Sequence, residues 1–467
     1  MINSKNKPLI QEIISTLNQS GYKTYIAGGA VRDMLLNQIP GDVDLLTAAP
    51  AREVANLFAH MDTRQVGKSF PICLVNGVEV ASCRAGVAKD NFPVDTFPED
   101  TFPEGDLGMR DFTINSMAWD PVSDTLVDPF GGREDLINKI IRFTRDPGER
   151  ILEDPLRMIR ACRFVARLDG KLAPASLQAI LTHAPLIDLA DGRVDAQVAG
   201  QVAGQVPGER IYLELVKAMG GVTPSRFFIT LHETGLLARI LPCLDRCFDL
   251  DGGPHHGETV FEHSMMVGDA LPANRPILRL AGFLHDAGKF DAAVIKEGKL
   301  TFAGHETHIQ AVQRDLENLR FSSRHQKYLI SLVQAHMRPL TDETTPKAVR
   351  RLLAMLDRHE LSFRDFLRMR IADKRGNLAK SPYTLSQIRI RYKKILDELS
   401  GQAAFNINEI AISGTQIIEL LGMKPGPEVG RIKEMLLERV LEDPSWNTRQ
   451  RLEQLVFSLA NHSPAAL

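Results

Sequence analysis

Asp42 and Asp44, two carboxylates one residue apart, stand downstream of a glycine pair, Gly28-Gly29, within YIAGGAVRDMLLNQIPGDVDLLT at positions 25–47. A single Asp-x-Asp is more often a solvated turn than a site, and a glycine pair alone is common punctuation. Their order gives them a shared chemistry. Glycine lets the backbone bend tightly and approach a ligand with no Cβ in the way. Where such glycines open a helix, its free N–H groups and positive dipole end favour a phosphate. Carboxylates beside that seat suit Mg²⁺, which takes hard oxygen ligands and shares them with substrate phosphates. A second set of chemistry-bearing residues runs through His263 in VFEHSMMV, His285-Asp286 in LAGFLHDAGK, His305-Glu306 in AGHETH, His336 in VQAHM and Asp373 in RIADKRG. One His on an apolar face is usually a packed core residue. Imidazole and carboxylate recurring in this order instead suit a divalent metal.

The elements that must position these groups are partly readable. Tyr25-Ile26-Ala27 reads as a short buried strand and positions 31–36 as a helix, so the glycines fall at a strand-to-helix junction. After the turn at Pro40-Gly41, a second strand carries Asp42 and Asp44, whose alternation would point both side chains to one face. Positions 49–60 have helical character. ICLVNGVEVASCR, at 72–84, reads as two apolar strands joined by Asn76-Gly77, a favoured two-residue hairpin turn. Glu79 on the second strand either faces water from a sheet edge or serves a site, because burying it unpaired is costly. Positions 85–109, with their near-duplicated FPEDTFPEGD, read as a long loop. In ILEDPLRMIRACRFVARLDG, at 151–170, Leu156, Ile159, Phe164 and Leu168 have roughly helical spacing and Gly170 is a C-cap candidate. Asp154 and Arg157 are three apart and hence neighbours, in most proteins a modest surface ion pair. Arg160, Arg163 and Arg167 follow on the same helix, either facing the phosphates of a ligand or forming a solvated basic face.

GGAVRD followed by GDVDLLT resembles the signature of the tRNA nucleotidyltransferase and bacterial poly(A) polymerase family. RDFTINSMAWD, at 110–120, is similar to the family's second motif, with Met109 where the first Arg of the usual RRDFTINAMA stands. Asp128-Pro129-Phe130-Gly131-Gly132 resembles a third, structural motif. The resemblance implies an α+β chain: a small polymerase-β-like head with a mixed sheet over 1–140, then mainly helical parts. Those parts would be a neck over 141–250 with the nucleotide-selecting residues and a linker, an HD domain over 251–385, and a tRNA-binding tail over 386–467. It further implies that Asp42, Asp44 and Glu79 are catalytic, with Asp42 and Asp44 holding Mg²⁺. Gly28, Gly29, Arg32, Arg110, Asp111, Asn115, Glu153, Asp154, Arg157, Arg160 and Arg163 would bind the nucleotide. The His and Asp series looks like an HD-type metal-dependent phosphohydrolase, with His263, His285, Asp286 and Asp373 as ligands of a further divalent metal. Lys393, Lys394 and Arg431 would touch tRNA.

EDPLR, Glu153 to Arg157, matches the family's amino-acid template for choosing the incoming base. The template works by donors and acceptors. Cytosine and adenine each offer an amino donor beside a ring-nitrogen acceptor, which Asp154 and Arg157 can meet in complementary fashion. Uracil and guanine present the reverse, at a penalty of roughly 1–3 kcal/mol per bidentate contact. Glu153 would orient Arg157. The implied activity is template-independent addition of CCA to tRNA 3′ ends from CTP and ATP by two-metal phosphoryl transfer. Partial CC-adding or A-adding specificity, poly(A) synthesis and HD phosphohydrolysis stand as alternatives.

Bulk properties fit these expectations. The chain has 467 residues, 44% hydrophobic and 24% charged, ample for several domains. A net charge of −2 means that RNA must be held by local basic patches rather than by a global field. The five cysteines lack CxxC spacing, pointing to reduced thiols and a cytoplasmic protein without a membrane span. The amphipathic N-terminus reads as a helix closed by Gly21 rather than as a signal peptide. QVAGQVAGQVPGER, at 197–210, reads as an extended linker before a helix at 209–218, and its repeat has no evident role.

Overall fold

The structure is a computed structural model, and it describes residues 7–66, 72–82, 102–187, 206–254, 256–401 and 404–462. Lys89, Cys83, the first part of the 85–109 segment and most of the Gln-Val-Ala-Gly repeat lie outside the described residues. The chain forms two compact units, residues 1–239 and 240–467.

The first unit is built on a seven-stranded sheet: β1 (Thr24–Ala27), β2 (Asp44–Thr47), β3 (Thr63–Val66), β4 (Ile72–Val75), β5 (Val78–Ser82), β6 (Ala118–Asp120) and β7 (Thr125–Val127). Their order is β3-β4-β5-β2-β1-β6-β7. Only the β2–β5 pair is parallel, so the sheet is mixed as expected. The β4–β5 hairpin closes at Asn76-Gly77, both with positive φ (46° and 83°), the backbone that a tight two-residue turn needs. Strand β5 lies between β4 and β2, so the edge-strand reading of Glu79 does not hold, although its side chain is exposed. Strand β2 starts at Asp44, and Asp42 sits in the bend before it rather than on the strand.

Helix α1 (Lys7–Gln19) buries Ile10, Ile13, Ile14 and Leu17, a single stripe at helical spacing. Helices α2 (Gly29–Leu35) and α3 (Ala51–Leu57) follow β1 and β2. Within the segment expected to be a loop, Glu104–Leu107 forms one helical turn, α4, whose Leu107 packs with Tyr25, Ala27, Leu46 and Ala118. That apolar anchor explains the departure from a loop. Helix α5 (Gly132–Ile137) starts where the Asp128 carboxylate accepts from the N–H groups of Gly132 (2.7 Å) and Arg133 (2.9 Å).

The neck segment is not one helix. Pro155 separates α6 (Pro147–Glu153) from α7 (Leu156–Leu168), leaving Asp154 extended at the joint. Asp169, not Gly170, takes the left-handed cap position, with φ 49°. Gly170 answers to packing instead, because a Cβ there would meet the Lys139 carbonyl oxygen at 2.3 Å. Helices α8 (Pro174–His183), α9 (Gly208–Met219) and α10 (Ser225–Glu233) complete the first unit's main elements, with α9 and α10 both packed on α7.

The second unit is mostly helical. Helices α11 (Val260–Ala270), α12 (Pro276–Leu284), α13 (Ser323–Ala335) and α14 (Phe363–Gly376) pack around one another. Farther on, Gly414 opens a helix after its Ser413 cap, and Gly422 ends that helix at φ 59°.

The Asp128 turn yields a stability prediction. A Cβ on Gly132 would sit 2.1 Å from the Thr113 backbone oxygen, whereas one on Gly131 meets nothing within 4 Å. Gly131→Ala should cost about 1–2 kcal/mol through its φ of 71° alone. Thermal denaturation should show Gly132→Ala losing more, roughly 1–3 kcal/mol with displacement of the turn. Equal melting of Gly132→Ala and wild type would contradict this packing.

Candidate active site and a buried histidine cluster

The register Leu45↔Val80 between β2 and β5, followed one step back, sets Asp44 alongside Glu79 on one face of the sheet. Burial pushes the Asp44 carboxyl above its ordinary value, Arg110 opposes the shift, and Asp42 adds to it. Glu79 is raised as well, by burial and then by the charges of Asp44 and Asp42. The three acids thus repel one another electrostatically, and a divalent cation would relieve that repulsion. No group of three ligand atoms within 4.8 Å of one another is found in the head among the described residues. The carboxylates share a region without being drawn tight.

Gly28 caps α2 with φ 73° and brings the backbone against Arg110, so that a Cβ there would lie 2.3 Å from Nη1. Arg110 Nε is buried without a hydrogen-bond acceptor and stands 3.6 Å from Asp106 Oδ2. The residues expected to meet the nucleotide form a connected network below. Arg32 is buried, with Nε donating to Asp33 Oδ1 (3.0 Å) and Nη1 to Asn115 Oδ1. Asn115 Nδ2 donates to Asp111 Oδ1 at 2.9 Å, and Arg160 Nε donates to Asp111 Oδ2 at 2.9 Å. Burial would raise the Asp111 carboxyl, but Arg160 and these hydrogen bonds hold it below the ordinary range. Gly29 is near this network too, 3.4 Å from Arg32 Nη2 by its notional Cβ.

The arginine row on α7 is paired with acids, with Arg163 buried, Arg160 partly buried and Arg167 exposed. Arg163 is buried on Glu214 of α9, and Arg167 Nη2 donates to both oxygens of Asp33, at 3.0 and 3.1 Å. Glu214, itself buried, also neighbours Arg160 (3.7 Å) and Lys217 (3.2 Å). Glu214, Asp33 and Asp111 therefore meet the row, and neither Glu214 nor Asp33 was singled out from the sequence. The signal available was the presence of acids able to answer three arginines.

At the α6–α7 joint, Glu153 pairs with Arg150 and, at 2.7 Å, with Arg157 Nη1, which also donates to the Arg150 carbonyl at 2.8 Å. Asp154 is held from α9. Arg210 makes a two-pronged contact, Nη1 to Oδ1 at 3.1 Å and Nη2 to Oδ2 at 2.8 Å, while the Leu156 N–H lies 3.3 Å from Oδ1. Arg210 had no sequence signal beyond following the repeat. In the second unit, Lys394 donates to the Asp342 and Thr344 carbonyls and Arg431 pairs with Glu428, whereas Lys393 is exposed.

The histidines converge in the second unit. His263, at the start of α11, and His285-Asp286, just past α12, are almost fully buried. Asp286 Oδ2 lies 3.3 Å from His285 Nε2 and 3.7 Å from His263 Nε2. His263 Nε2 lies 3.3 Å from Asp373 Oδ1 on α14. Both ring nitrogens of His263 and Nε2 of His285 are buried without a hydrogen-bond partner. Polar atoms so orphaned, beside carboxylates, fit a metal site. His305 and His336, noted in the sequence but not among the four expected ligands, lie at Asp286 Oδ1, at 3.0 and 3.5 Å. His256, Glu258 and Lys289 adjoin the same cluster, and all three were missed. Burial would raise the Asp286 carboxyl, but His285, Lys289 and His305 drive it well below the ordinary range.

Comparison with known proteins follows this geometry. Residues 24–142 match the family model described as the poly A polymerase head domain. Residues 204–248 match the probable RNA and SrmB-binding site of polymerase A. The chain is 32% identical to the Multifunctional CCA protein of Xanthomonas campestris pv. campestris, covering 87% of this chain and 95% of that one. It is 31% identical to the A-adding tRNA nucleotidyltransferase of Deinococcus radiodurans, covering 88% and 90%. Other relatives, 38% identical, are matched over only 64% and 55% of their own length. The crystal structure of Bacillus stearothermophilus CCA-adding enzyme in complex with CTP has the same fold, with a TM-score of 0.66, 24% identity, and coverage of 99% of this chain and 100% of that one. With the head motifs, the mixed sheet and this near full-length likeness together, the chain belongs to the class II family of CCA-adding enzymes and bacterial poly(A) polymerases.

Proposed function

We propose that this chain is a tRNA nucleotidyltransferase that adds CCA to tRNA 3′ ends from CTP and ATP. The observation that carries the reading is the set of three crowded carboxylates, Asp42, Asp44 and Glu79, beside Gly28 and Arg110. Asp42 and Asp44 would hold Mg²⁺, which supplies Lewis-acid stabilisation of the α-phosphate and of the attacking and leaving oxygens. Arg110, with a buried Nε free of a hydrogen-bond acceptor, is poised to meet the triphosphate. Asp111, kept ionised by Arg160 and Asn115, can accept from a ribose hydroxyl and so favour ribonucleotides. Positioning and electrostatics supply most of the acceleration in such transfers. The buried cysteines at 73, 162, 243 and 247, all free, accord with a reducing cytoplasmic setting.

Base choice rests on Asp154 and Arg157, each held by an oppositely charged neighbour. A carboxylate offers about four acceptor positions. Arg210 takes one on each oxygen and the Leu156 N–H a further one on Oδ1. Oδ2 retains room for one donor, which matches a single N–H of the amino group on cytosine or adenine. Arg210 is therefore a positioning residue for base selection.

A second reading concerns the second unit. The orphaned His263 and His285 nitrogens support hydrolysis of phosphate esters at a metal held by His263, His285, Asp286 and Asp373. The two activities would coexist, and neither depends on the other's residues.

The first test supplies CTP and ATP singly and together to tRNA lacking its 3′ end. CTP alone should add two residues, both nucleotides three, and Asp44→Ala none. Addition by CTP alone that stops at two even with ATP present, or addition of A alone, would assign one of the narrower specialists. Full activity in Asp44→Ala would remove the assignment of this site.

A second measurement addresses Arg210. Arg210→Ala should raise KM for CTP with little change in kcat and lower discrimination against UTP by about tenfold, with Arg210→Lys partly restoring it. Unchanged discrimination in a folded Arg210→Ala protein would remove its role.

The third applies to the helical unit. Asp286→Ala should abolish release of phosphate from nucleotide monoesters and leave CTP incorporation intact. Undiminished release in that variant would exclude hydrolysis at the cluster.

A further inference from the structure

Asp111 is the acid assigned to a ribose hydroxyl, and in this structure its acceptor positions are full. A carboxylate offers about four of them. Oδ1 accepts from the Phe112 N–H and from Asn115 Nδ2, both at 2.9 Å. Oδ2 accepts twice from Arg160, from Nε at 2.9 Å and from Nη2. Asp111 is also buried. A ribose hydroxyl that donates to it must therefore displace one of these donors.

The donors are not equally free to leave. The Phe112 N–H belongs to the backbone next to the acid it serves. Asn115 is buried and gripped from behind, because its own Oδ1 accepts from Arg32 Nη1, and Arg32 is in turn held by Asp33. Arg160 is only partly buried and fills two positions with one side chain. It also has a second acid within reach. Its Nη1 stands 3.7 Å from Oε1 of Glu214 on α9, short of a hydrogen bond by about 1 Å. Glu214 Oε1 holds Lys217 Nζ at 3.2 Å and retains a further lone pair, while Oε2 serves Arg163. An arginine that left a buried carboxylate for no other acid would be costly to both partners. Here Glu214 receives the guanidinium, and the sugar satisfies Asp111.

We propose that Arg160 gates sugar selection: a ribonucleotide turns its guanidinium from Asp111 onto Glu214, and the 2′-hydroxyl takes the vacated place on Oδ2. A deoxynucleotide has no 2′-hydroxyl to donate, so Arg160 stays on Asp111 and the sugar finds no acceptor there. A site that must hydrogen-bond a substrate hydroxyl rejects the analogue lacking it far more strongly than a site of matched shape alone. Arg160 and Glu214 act through Asp111 and are positioning residues for sugar choice. The proposal rests on the nucleotidyltransferase reading of the head. The competing account is static, with Arg160 and Glu214 joining α7 to α9 and Asp111 never released.

The experiment measures kcat/KM for CTP, dCTP and 2′-fluoro-CTP on tRNA lacking its 3′ end. It compares the full wild-type chain with Arg160→Lys and Glu214→Gln, each first checked for cooperative melting. Fluorine does not donate a hydrogen bond, so the wild type should treat 2′-fluoro-CTP as it treats dCTP. One ammonium cannot span both positions on Oδ2, so Arg160→Lys leaves room for the hydroxyl without any swing and should raise the preference for CTP over dCTP. Glu214→Gln removes the charge that receives Arg160 and should lower that preference by about tenfold. Loss of packing alone would reduce the use of both nucleotides together and leave the preference where it was. An unchanged preference in the folded variants, with CTP still added, would overturn the gate and leave the proposed function standing. Equal use of 2′-fluoro-CTP and CTP by the wild type would also overturn it, by showing that no hydroxyl donates. A wild-type chain that cannot extend tRNA with CTP would overturn the proposed function and the gate together.

Discussion

Charge crowding that the fold does not itself relieve is the constraint on which the head turns. In the head, strand pairing holds Asp44 beside Glu79, and the bend before β2 adds Asp42. The sheet fixes the backbone, so the acids cannot drift apart without breaking the register of a central strand. Partial burial, and after it repulsion from the neighbouring acids, raises the Asp44 and Glu79 carboxyls above their ordinary values, with Arg110 opposing the shift at Asp44. Such an arrangement reduces stability unless a cation enters, which is the sense in which a site is prepared in advance. Arg110 beside Gly28 supplies only part of the compensating charge.

Elsewhere in the first unit charge is compensated with care. Arg32, Arg163 and Arg167 each meet an acid, and Glu214 answers two arginines at once. Buried arginine without a partner would be far more costly than the pairs are favourable. The result is a stiff platform of α7 against α2, α9 and α10. The proposed base-reading pair at the α6–α7 joint, Asp154 and Arg157, sits on that platform, with Glu153 paired to Arg157 and Arg210 to Asp154. Selectivity by two side chains demands that neither can turn to suit a wrong base.

The sequence was legible where one residue type had one physical use. Asn76-Gly77 could hardly be other than a tight turn, and Gly28 was expected where the chain bends at a ligand, which is where φ is positive. Pairings distant in sequence were not legible. Nothing near Arg163 names Glu214 as its partner, and nothing near Asp154 names Arg210. The arginine row has two readings from sequence alone, RNA contacts or a solvated face, and neither names the acids that meet it, Glu214 on α9, Asp33 on α2 and Asp111. Local rules also misjudged residues 104–107, where an apolar anchor turned loop into helix. His305 and His336 were visible as residues, but only three-dimensional convergence on Asp286 gives them a common target.

Central to this account is that the head acids share a divalent ion with the α-phosphate of the incoming nucleotide. The most direct measurement is the rate of addition from each diastereomer of CTP bearing sulfur on the α-phosphorus, in Mg²⁺ and in the more thiophilic Mn²⁺. The account predicts that one diastereomer is nearly inert with Mg²⁺ and is restored by Mn²⁺. Equal use of both diastereomers with Mg²⁺, and no effect of exchanging the ion, would contradict it.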